Sequence, residues 1–143
     1  WCHHRHTHTR VDTHTHTHTH AHTHTPSLPW LWQHPFWTLP LEYHRMPAAA
    51  PDLHRHLAAA DLLLFKGDLN YRKLLGDRMW PAHTPFATAL CGFAPAPLLA
   101  LRTLKSETLA GVAASRVEAA QAADPAWNVN GSTAVIQFFD SAE

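Results

Sequence analysis

The hydrophobic and polar positions after residue 50 divide into strand-like and helix-like segments. A continuous apolar run at residues 62–65 predicts a strand buried on both faces, of the parallel type. Two further apolar runs, at residues 97–102 and 133–139, predict two more strands. Helices are predicted at residues 51–61, 71–75, 85–93 and 115–123. Strands that alternate with helices indicate an α/β fold, with a parallel, Rossmann-like sheet flanked by helices.

Individual residues support two of these helices. Pro51 suits a first helical turn, and Leu53 and Leu57 lie four positions apart on one face. Ser115, with Glu118 three residues later, forms a capping-box pattern at the start of the last helix. We therefore expect the first of these helices to bury its two leucines, and the last to be capped by Ser115.

The first 51 residues carry no comparable pattern. Residues 1–25 largely alternate histidine with threonine and hold ten of the fifteen histidines. Closely spaced imidazoles favour a metal-binding tract, but the alternation is also typical of a low-complexity repeat. Because neither face of the tract is apolar, we expect it to be disordered. Residues 26–51 predict an irregular segment whose aromatic side chains, Trp30, Trp32, Phe36 and Trp37, pack into the core.

The length, charge and cysteine content limit the classes of protein to which the chain can belong. The chain has 143 residues, enough for one domain, and a formal net charge of +0. It has no apolar run of about 18 residues and no signal peptide, so we expect no membrane partner. Cys2 and Cys91 make no disulfide or metal pattern, which favours a reducing compartment: the cytoplasm, with the nucleus left open. Because the first residue is Trp1, the chain is either processed or part of a longer product, and we favour the second.

Positive charge is concentrated where two predicted strands end. Residues 66–105 carry six Lys/Arg and two acids, whereas the rest of residues 26–143 carries three Lys/Arg and eight acids. Ligands of parallel sheets bind outside the carboxyl ends of the strands. Arginine, lysine and helix N-termini favour phosphate, Gly67 allows a close backbone approach, and Asp68 and Asn70 suit sugar hydroxyls. The two clusters together favour a site for a small phosphorylated sugar over ordinary solvated loop charges.

Other recognised motifs are missing from the sequence. It has no basic helix face and no RNA-binding aromatic signature, so we expect no nucleic-acid partner. It also has no phosphate-binding P-loop, no GxGxxG and no serine in a nucleophile elbow. The residues alone therefore predict a binding site but assign no catalytic residue.

Two stretches, DLLLFKGDLNYRKLLGDRMWP and PAPLLALRTLKSE, closely resemble the damage-control phosphatase family. The second stretch contains the Arg-Thr-x-Lys motif of one subfamily, which is also described as acidic residue methyltransferase-like or as sugar phosphate phosphatase. The motif residues here are Arg102, Thr103, Leu104 and Lys105. The resemblance covers roughly residues 30–139, and it implies that residues 26–143 are the C-terminal part of such a domain.

The resemblance also implies an activity. Members of this family are metal-dependent phosphatases of sugar phosphates such as fructose 1-phosphate and fructose 6-phosphate, with manganese, cobalt or nickel as the ion. A methyltransferase activity toward protein carboxylates is attached to the family as well. By resemblance, the residues that contact substrate are Asp68, Leu69, Asn70, Tyr71, Arg72 and Lys105.

The sequence departs from the family in its metal ligands. The family holds its ion with an adjacent Asp-Asn pair and a further aspartate upstream of the substrate motif, and this chain has no Asp-Asn pair. We therefore expect the metal ligands to be absent from the chain and the chain alone to be inactive. Three hypotheses remain: a truncated or mis-assembled product of a phosphatase, a non-catalytic phosphosugar-binding module, and a histidine-rich metal-binding protein with an unrelated globular tail.

Overall fold

The computed structural model describes residues 29–140, and the predicted disorder of residues 1–25 lies outside them. A three-stranded sheet in the order β1-β2-β3 is formed by Leu63–Lys66, Leu98–Thr103 and Ala134–Phe139. β1 runs parallel to β2, with Leu63 paired to Leu98 and Lys66 to Leu101. β3 runs antiparallel to β2. The predicted α/β fold is confirmed, but its sheet is mixed rather than purely parallel, because an apolar run does not specify strand direction.

Six short helices accompany the sheet in the described residues. They are α1 Pro29–Gln33, α2 Met46–Ala49, α3 Pro51–Leu57, α4 Asp68–Leu74, α5 Phe86–Ala89 and α6 Ala114–Ala123. Two 3₁₀ turns, Pro35–Thr38 and Tyr43–Arg45, join α1 to α2, so much of the segment predicted to be irregular is helical. From α3 onward the predicted order of helices and strands is confirmed. None of these helices is long and apolar enough to span a membrane.

Two helices begin at other residues than the sequence predicts. α4 begins at Asp68, three residues early, because Gly67 adopts a φ of 100° and turns the chain directly from β1 into the helix. α6 begins at Ala114, and its N-cap residue Ala113 makes no side-chain hydrogen bond. The capping box predicted at Ser115 is therefore wrong, since that serine already lies inside the first turn.

One face of the sheet and the helices that pack on it form the main core. The largest fully buried side chains are Tyr71, Phe36, Phe93, Met46, Leu53, Leu74, Leu75, Leu90, Leu98 and Leu104. α3 buries Leu53 and Leu57, as its spacing predicts. Burial of apolar surface on this scale is the main favourable term in folding.

The four aromatic residues expected in the core have different environments. Phe36 is buried, and Trp37 is partly buried against the core. Trp30 is 39% exposed and packs edge-on against His56, whereas Trp32 is 81% exposed. The prediction that all four side chains pack into the core is therefore wrong for Trp30 and Trp32.

β1 is buried on one face only. Leu63 and Phe65 point into the core, while Leu62 and Leu64 are 49% and 59% exposed. The expectation of a strand buried on both faces is wrong in the described residues, because a run of leucines carries no alternation that would identify the uncovered face.

Lys73 of α4 contacts the backbone of residues 37–39. Its Nζ donates hydrogen bonds to the carbonyl oxygens of Trp37 at 3.3 Å and Leu39 at 3.0 Å. The same ammonium lies 5.4 Å from the centroid of the Tyr43 ring, within range of a cation–π contact. Burial lowers the pKa of Lys73. Lys73 therefore stabilises the packing of residues 37–39 on α4, whereas Lys66 and Lys105 are exposed at the strand ends.

We predict an alkaline loss of stability that depends on Tyr43. Burial raises the pKa of Tyr43 from 10.0 to about 12, so its phenol stabilises the fold fully below pH 10, and this contribution is lost as pH rises through 12. A shift of that size corresponds to about 2–3 kcal/mol. Tyr43→Phe removes the hydrogen bond to Asn70, costing about 1 kcal/mol at pH 7, but flattens the fall in stability above pH 10.

Urea unfolding at pH 7, 10 and 11 measures this difference. Two other titratable groups, Lys73 against the Tyr43 ring and the buried Tyr71, also affect the alkaline slope. Because both are present in the parent chain and in the variant, they do not account for a difference between the two. An equal alkaline slope in the two proteins would show that Tyr43 carries no such contribution.

Candidate functional site

The carboxyl ends of β1 and β2 lie side by side at one edge of the sheet. The two strands are parallel, and Lys66 at the end of β1 pairs with Leu101 of β2. Beyond them, α4 begins at Asp68, and β2 continues into the loop formed by residues 104–108. The backbone N–H of Lys105 lies 3.3 Å from Oδ1 of Asp68. The structure thus brings the two polar clusters of the sequence together, although they are more than thirty residues apart.

Arg102 is the centre of this arrangement. It points into the molecule and is only 2% exposed. Its Nε donates to Oδ1 of Asp68 at 2.8 Å, and its Nη2 donates to the carbonyl oxygen of Ser106 at 2.7 Å and to Oγ of Ser106 at 2.8 Å. Its Nη1 donates to the carbonyl oxygen of Thr108. The guanidinium of this motif residue is therefore engaged inside the protein.

The aromatic ring of Tyr71 packs against the guanidinium of Arg102. The guanidinium carbon of Arg102 lies 4.5 Å from the centroid of the Tyr71 ring, and the ring is 1% exposed. The Tyr71 hydroxyl donates to Oε1 of Gln137 at 2.7 Å, and Nε2 of Gln137 donates to the carbonyl oxygen of Ala110 at 2.7 Å. Burial raises the pKa of Tyr71, which keeps the phenol neutral. Tyr71 was expected to contact substrate, but its side chain lies in the core beneath the site.

Asp68 is held through one of its two carboxylate oxygens. Its Oδ1 accepts from Nε of Arg102, from the backbone N–H of Lys105 and, at 3.3 Å, from Oγ of Ser106. Its Oδ2 accepts none of these hydrogen bonds, and the side chain is 20% exposed. The carboxylate is thus held in one orientation by the interior and reaches the surface at the strand ends.

Asn70 and Leu69 follow on the first turn of α4. Oδ1 of Asn70 accepts from the Tyr43 hydroxyl at 2.6 Å, and its Nδ2 donates to the carbonyl oxygen of Lys66 at 2.8 Å. An amide group has one further lone pair and one further N–H, so Asn70 retains capacity for a hydroxyl. Leu69 is 65% exposed. These two residues lie on the surface where the resemblance expects substrate contacts.

Arg72 is paired at the surface. Its Nε and Nη2 each donate to a carboxylate oxygen of Asp77, both at 2.6 Å. This bidentate hydrogen bonding raises the pKa of Arg72 and lowers that of Asp77. Thr108 Oγ1 lies 3.5 Å from the same carboxylate, which ties the pair to the loop that Arg102 holds. A phosphate would compete with Asp77 for this guanidinium.

Three cations of residues 66–105 remain outside these contacts: Lys66, Lys105 and Arg78, which lies over the Trp80 ring. Lys66 and Lys105 are exposed at the ends of the parallel strands, and neither belongs to an ion pair within residues 29–140. Of the other motif residues, Thr103 is exposed and Leu104 is buried in a second, smaller core cluster. The candidate site therefore comprises the Asp68 carboxylate and the Asn70 amide, with Lys105 on the adjoining loop and Lys66 at the end of β1, on the sheet face that carries Leu64.

The described residues do not fit a metal centre. Residues 29–140 hold no group of three or more His, Cys, Asp or Glu side chains arranged to bind an ion. Asp68 is already engaged by Arg102, and Asp77 by Arg72. Three or more such ligands around one ion would be needed to fix it and polarise a phosphoryl group. No catalytic step through a metal can be assigned to these residues.

Sequence comparisons identify relatives of the chain. Residues 25–120 match the damage-control phosphatase ARMT1-like domain. The chain belongs to this family. It is 52% identical over 105 residues to damage-control phosphatase ARMT1 of Mus musculus, covering 73% of this chain and 24% of the relative. The corresponding relative of Danio rerio is 52% identical over 105 residues, covering 73% and 23%, and that of Xenopus laevis is 47% identical over 113 residues, covering 78% and 26%.

The extent of these matches agrees with a partial family domain. The chain spans about a quarter of the length of the relatives that it matches. β1, β2 and α4 lie within the matched residues 25–120, whereas β3 lies beyond them. The phosphatase family predicted from the two motifs is confirmed, and the substrate roles of the individual residues stay predictions.

Three residues that support the candidate site were not singled out in the sequence. Ser106 directly follows the Arg-Thr-x-Lys motif and hydrogen-bonds both Asp68 and Arg102. Asp77 neutralises Arg72, and no sequence rule connects an arginine with an acid five positions later. Gln137 is the one polar residue of β3, and that position in an apolar strand was the available signal.

We predict that Arg102 and Arg72 differ strongly in their contribution to stability. Removing one partner of a buried, hydrogen-bonded ion pair costs about 3–5 kcal/mol, whereas an exposed pair is worth about 0–1 kcal/mol. The Arg102 side chain is 0% exposed and that of Arg72 37%. We therefore expect Arg102→Met to cost about 3 kcal/mol of unfolding free energy and Arg72→Met less than about 1 kcal/mol.

Urea unfolding followed by far-ultraviolet circular dichroism gives both values. Methionine keeps most of the apolar stem of arginine in each variant, so the comparison isolates the charged head group. Similar losses for the two variants would contradict the central role given to Arg102.

Proposed function

We propose that the chain forms the substrate-binding part of a phosphatase that acts on small phosphorylated sugars of the fructose 1-phosphate and fructose 6-phosphate class. Membership of the damage-control phosphatase family supports the reaction class. The observation that carries the proposal is the approach of the Lys105 backbone N–H to the Asp68 carboxylate, which brings the motif loop to the start of α4 at the shared carboxyl ends of two parallel strands. The dependence on manganese, cobalt or nickel is part of the same proposal and applies to a longer family protein.

Charge and hydrogen bonding at this edge suit both halves of such a ligand. Ammonium groups bind phosphate oxygens as point charges, and they need no fixed planar geometry to do so. The carboxylate of Asp68 and the amide of Asn70 offer acceptors and a donor to sugar hydroxyls. Because Arg102 already fixes Asp68, little side-chain freedom is lost when the ligand binds.

A second candidate is phosphosugar binding without turnover by the chain itself. It is favoured by one observation, namely that residues 29–140 contain no group of ligands for a metal. The two candidates share the same binding site. They differ in whether other parts of a family domain add the metal ligands that turnover needs. No feature of residues 29–140 favours the third possibility, methyl transfer to a protein carboxylate.

We predict that Lys105→Ala weakens binding of fructose 6-phosphate to the full chain about 10- to 150-fold. The reason is that a hydrogen bond to a charged group is worth about 1.5–3 kcal/mol. Arg116→Ala is the matched control, because Arg116 is an exposed cation on α6, outside the two strand ends. Isothermal titration calorimetry with the sugar phosphate, and with inorganic phosphate for comparison, measures both variants. An equal change in affinity for the two variants would contradict the assignment of Lys105 to the binding site.

We predict that the purified chain releases no phosphate from fructose 1-phosphate, even with manganese, because the described residues offer no ligand group. A chimaera in which this chain replaces the 105 matched residues of the mouse relative should be active. Lys105→Ala in that chimaera should lower kcat/KM about 10- to 150-fold. Metal-dependent turnover by the isolated chain, surviving removal of contaminants, would contradict this prediction.

A further inference from the structure

A carboxylate of the same chain occupies the guanidinium of Arg72. Nε and Nη2 of Arg72 donate to Oδ1 and Oδ2 of Asp77, both at 2.6 Å. The planar fork of arginine matches carboxylate and phosphate alike, because each anion presents two oxygens to it. Asp77 therefore lies where two oxygens of a phosphate bound to this edge of Arg72 would lie.

The backbone at the end of α4 brings this carboxylate to the guanidinium. Gly76 and Asp77 both have positive φ, 69° and 50°, and the N–H of Asp77 donates to the carbonyl oxygen of Arg72 at 2.7 Å. This chain reversal is typical of a helix C-terminus, and it returns the Asp77 side chain to the helix that has just ended. A positive φ is uncommon for a residue other than glycine, and such positions are concentrated at functional sites.

Helix stability does not account for an acid at this position. The C-terminus of a helix carries the negative end of its dipole, which favours cations and disfavours a carboxylate. The pair is also open to solvent, since the side chains of Arg72 and Asp77 are 37% and 50% exposed. An exposed ion pair contributes little to stability, so the guanidinium can exchange one anion for another at small cost.

The pair borders the candidate site. The hydroxyl of Thr108, in the loop after β2, lies 3.5 Å from the Asp77 carboxylate. Hydrogen bonding to Asp77 is the main cause of the raised pKa of Arg72, and the nearby charge of Asp68 adds to it. A cavity of about 450 Å³ is lined by Arg72, Asp77 and Leu69 among others. A phosphorylated ligand at the strand ends therefore has room to reach Arg72.

We propose that Asp77 is an internal competitor for the phosphate group of the ligand, which displaces Asp77 from Arg72 when it binds. The proposal rests on the proposed function, because it concerns the same ligand and the same site. Competition lowers the affinity for all phosphates alike, so the ligands that remain bound are those with further contacts at Asp68 and Asn70. Asp77 thus acts against binding, whereas every residue that contacts the ligand acts in its favour.

Asp77→Asn tests the proposal by a gain of affinity. Asparagine keeps the shape of the side chain and tolerates positive φ, but it has no charge and only one acceptor oxygen. Isothermal titration calorimetry of the full chain with inorganic phosphate and with fructose 6-phosphate should show about two- to fivefold tighter binding, the size expected from the loss of an exposed ion pair. Asp77→Gly, which also suits the positive φ, should give a similar gain.

Glu42→Gln is the matched control for the removal of a negative charge. Glu42 lines the same cavity but pairs with Arg45 rather than with Arg72, so its change should leave the affinity nearly unaltered. In an Arg72→Met background, Asp77→Asn should give no gain, because the carboxylate then has no guanidinium to occupy. A gain that persists in this background, or equal gains for the variants of Asp77 and Glu42, would show an effect of net charge alone and overturn the proposal.

The remaining outcomes separate this proposal from the proposed function. If the parent chain binds fructose 6-phosphate and Asp77→Asn binds it equally or more weakly, internal competition is contradicted while the binding site stands. If neither the parent chain nor Asp77→Asn binds either ligand, the proposed function is contradicted and the competition with it.

Discussion

The structure depends on one buried cation. Arg102 extends from β2 into the interior, where an unpaired guanidinium would lose far more hydration energy than folding could replace. It is retained because each of its nitrogens has an acceptor, and those acceptors come from α4 and from the loop after β2. Satisfying one charge therefore fixes the relative positions of a helix start and a loop that are distant in sequence. The geometry of the strand ends follows from this requirement.

The need to pair buried cations also changes how the positive charge of residues 66–105 is interpreted. Residues 66–105 carry an excess of positive charge, but Asp68 neutralises Arg102 and Asp77 neutralises Arg72 within the protein. Lys73 donates to backbone carbonyl oxygens and lies against aromatic rings. Lys66, Lys105 and Arg78 are the cations of this segment that none of these contacts engages. Arg102 and Arg72 both use the planar fork of the guanidinium inside the protein, where its fixed geometry matches that of the acceptors.

The sequence predicts the order of the elements because strong apolar runs and breaks at glycine and proline determine it. It also predicts that the polar clusters meet, since two parallel strands end at the same edge. It does not predict the direction of β3 or the exposure of Leu64, because runs of apolar residues carry no information on direction or on which face is covered. The burial of Tyr71 is missed for a related reason. A tyrosine in a polar motif is ambiguous until a partner such as Gln137, distant in the chain, is placed beside it.

The hydrogen-bond network that supports the strand ends lies on one face of the sheet. The network of Arg102, Tyr71 and Gln137 lies on the covered face and is completed by described residues alone. Leu64 and Ile136 lie on the opposite face and make no part of it. Because buried polar networks hold their geometry only when every member is satisfied, the strand ends can keep this arrangement whether or not the opposite face of the sheet is covered. The proposed site for a phosphorylated ligand is thus held by the contacts of Arg102 with Asp68 and with the loop after β2.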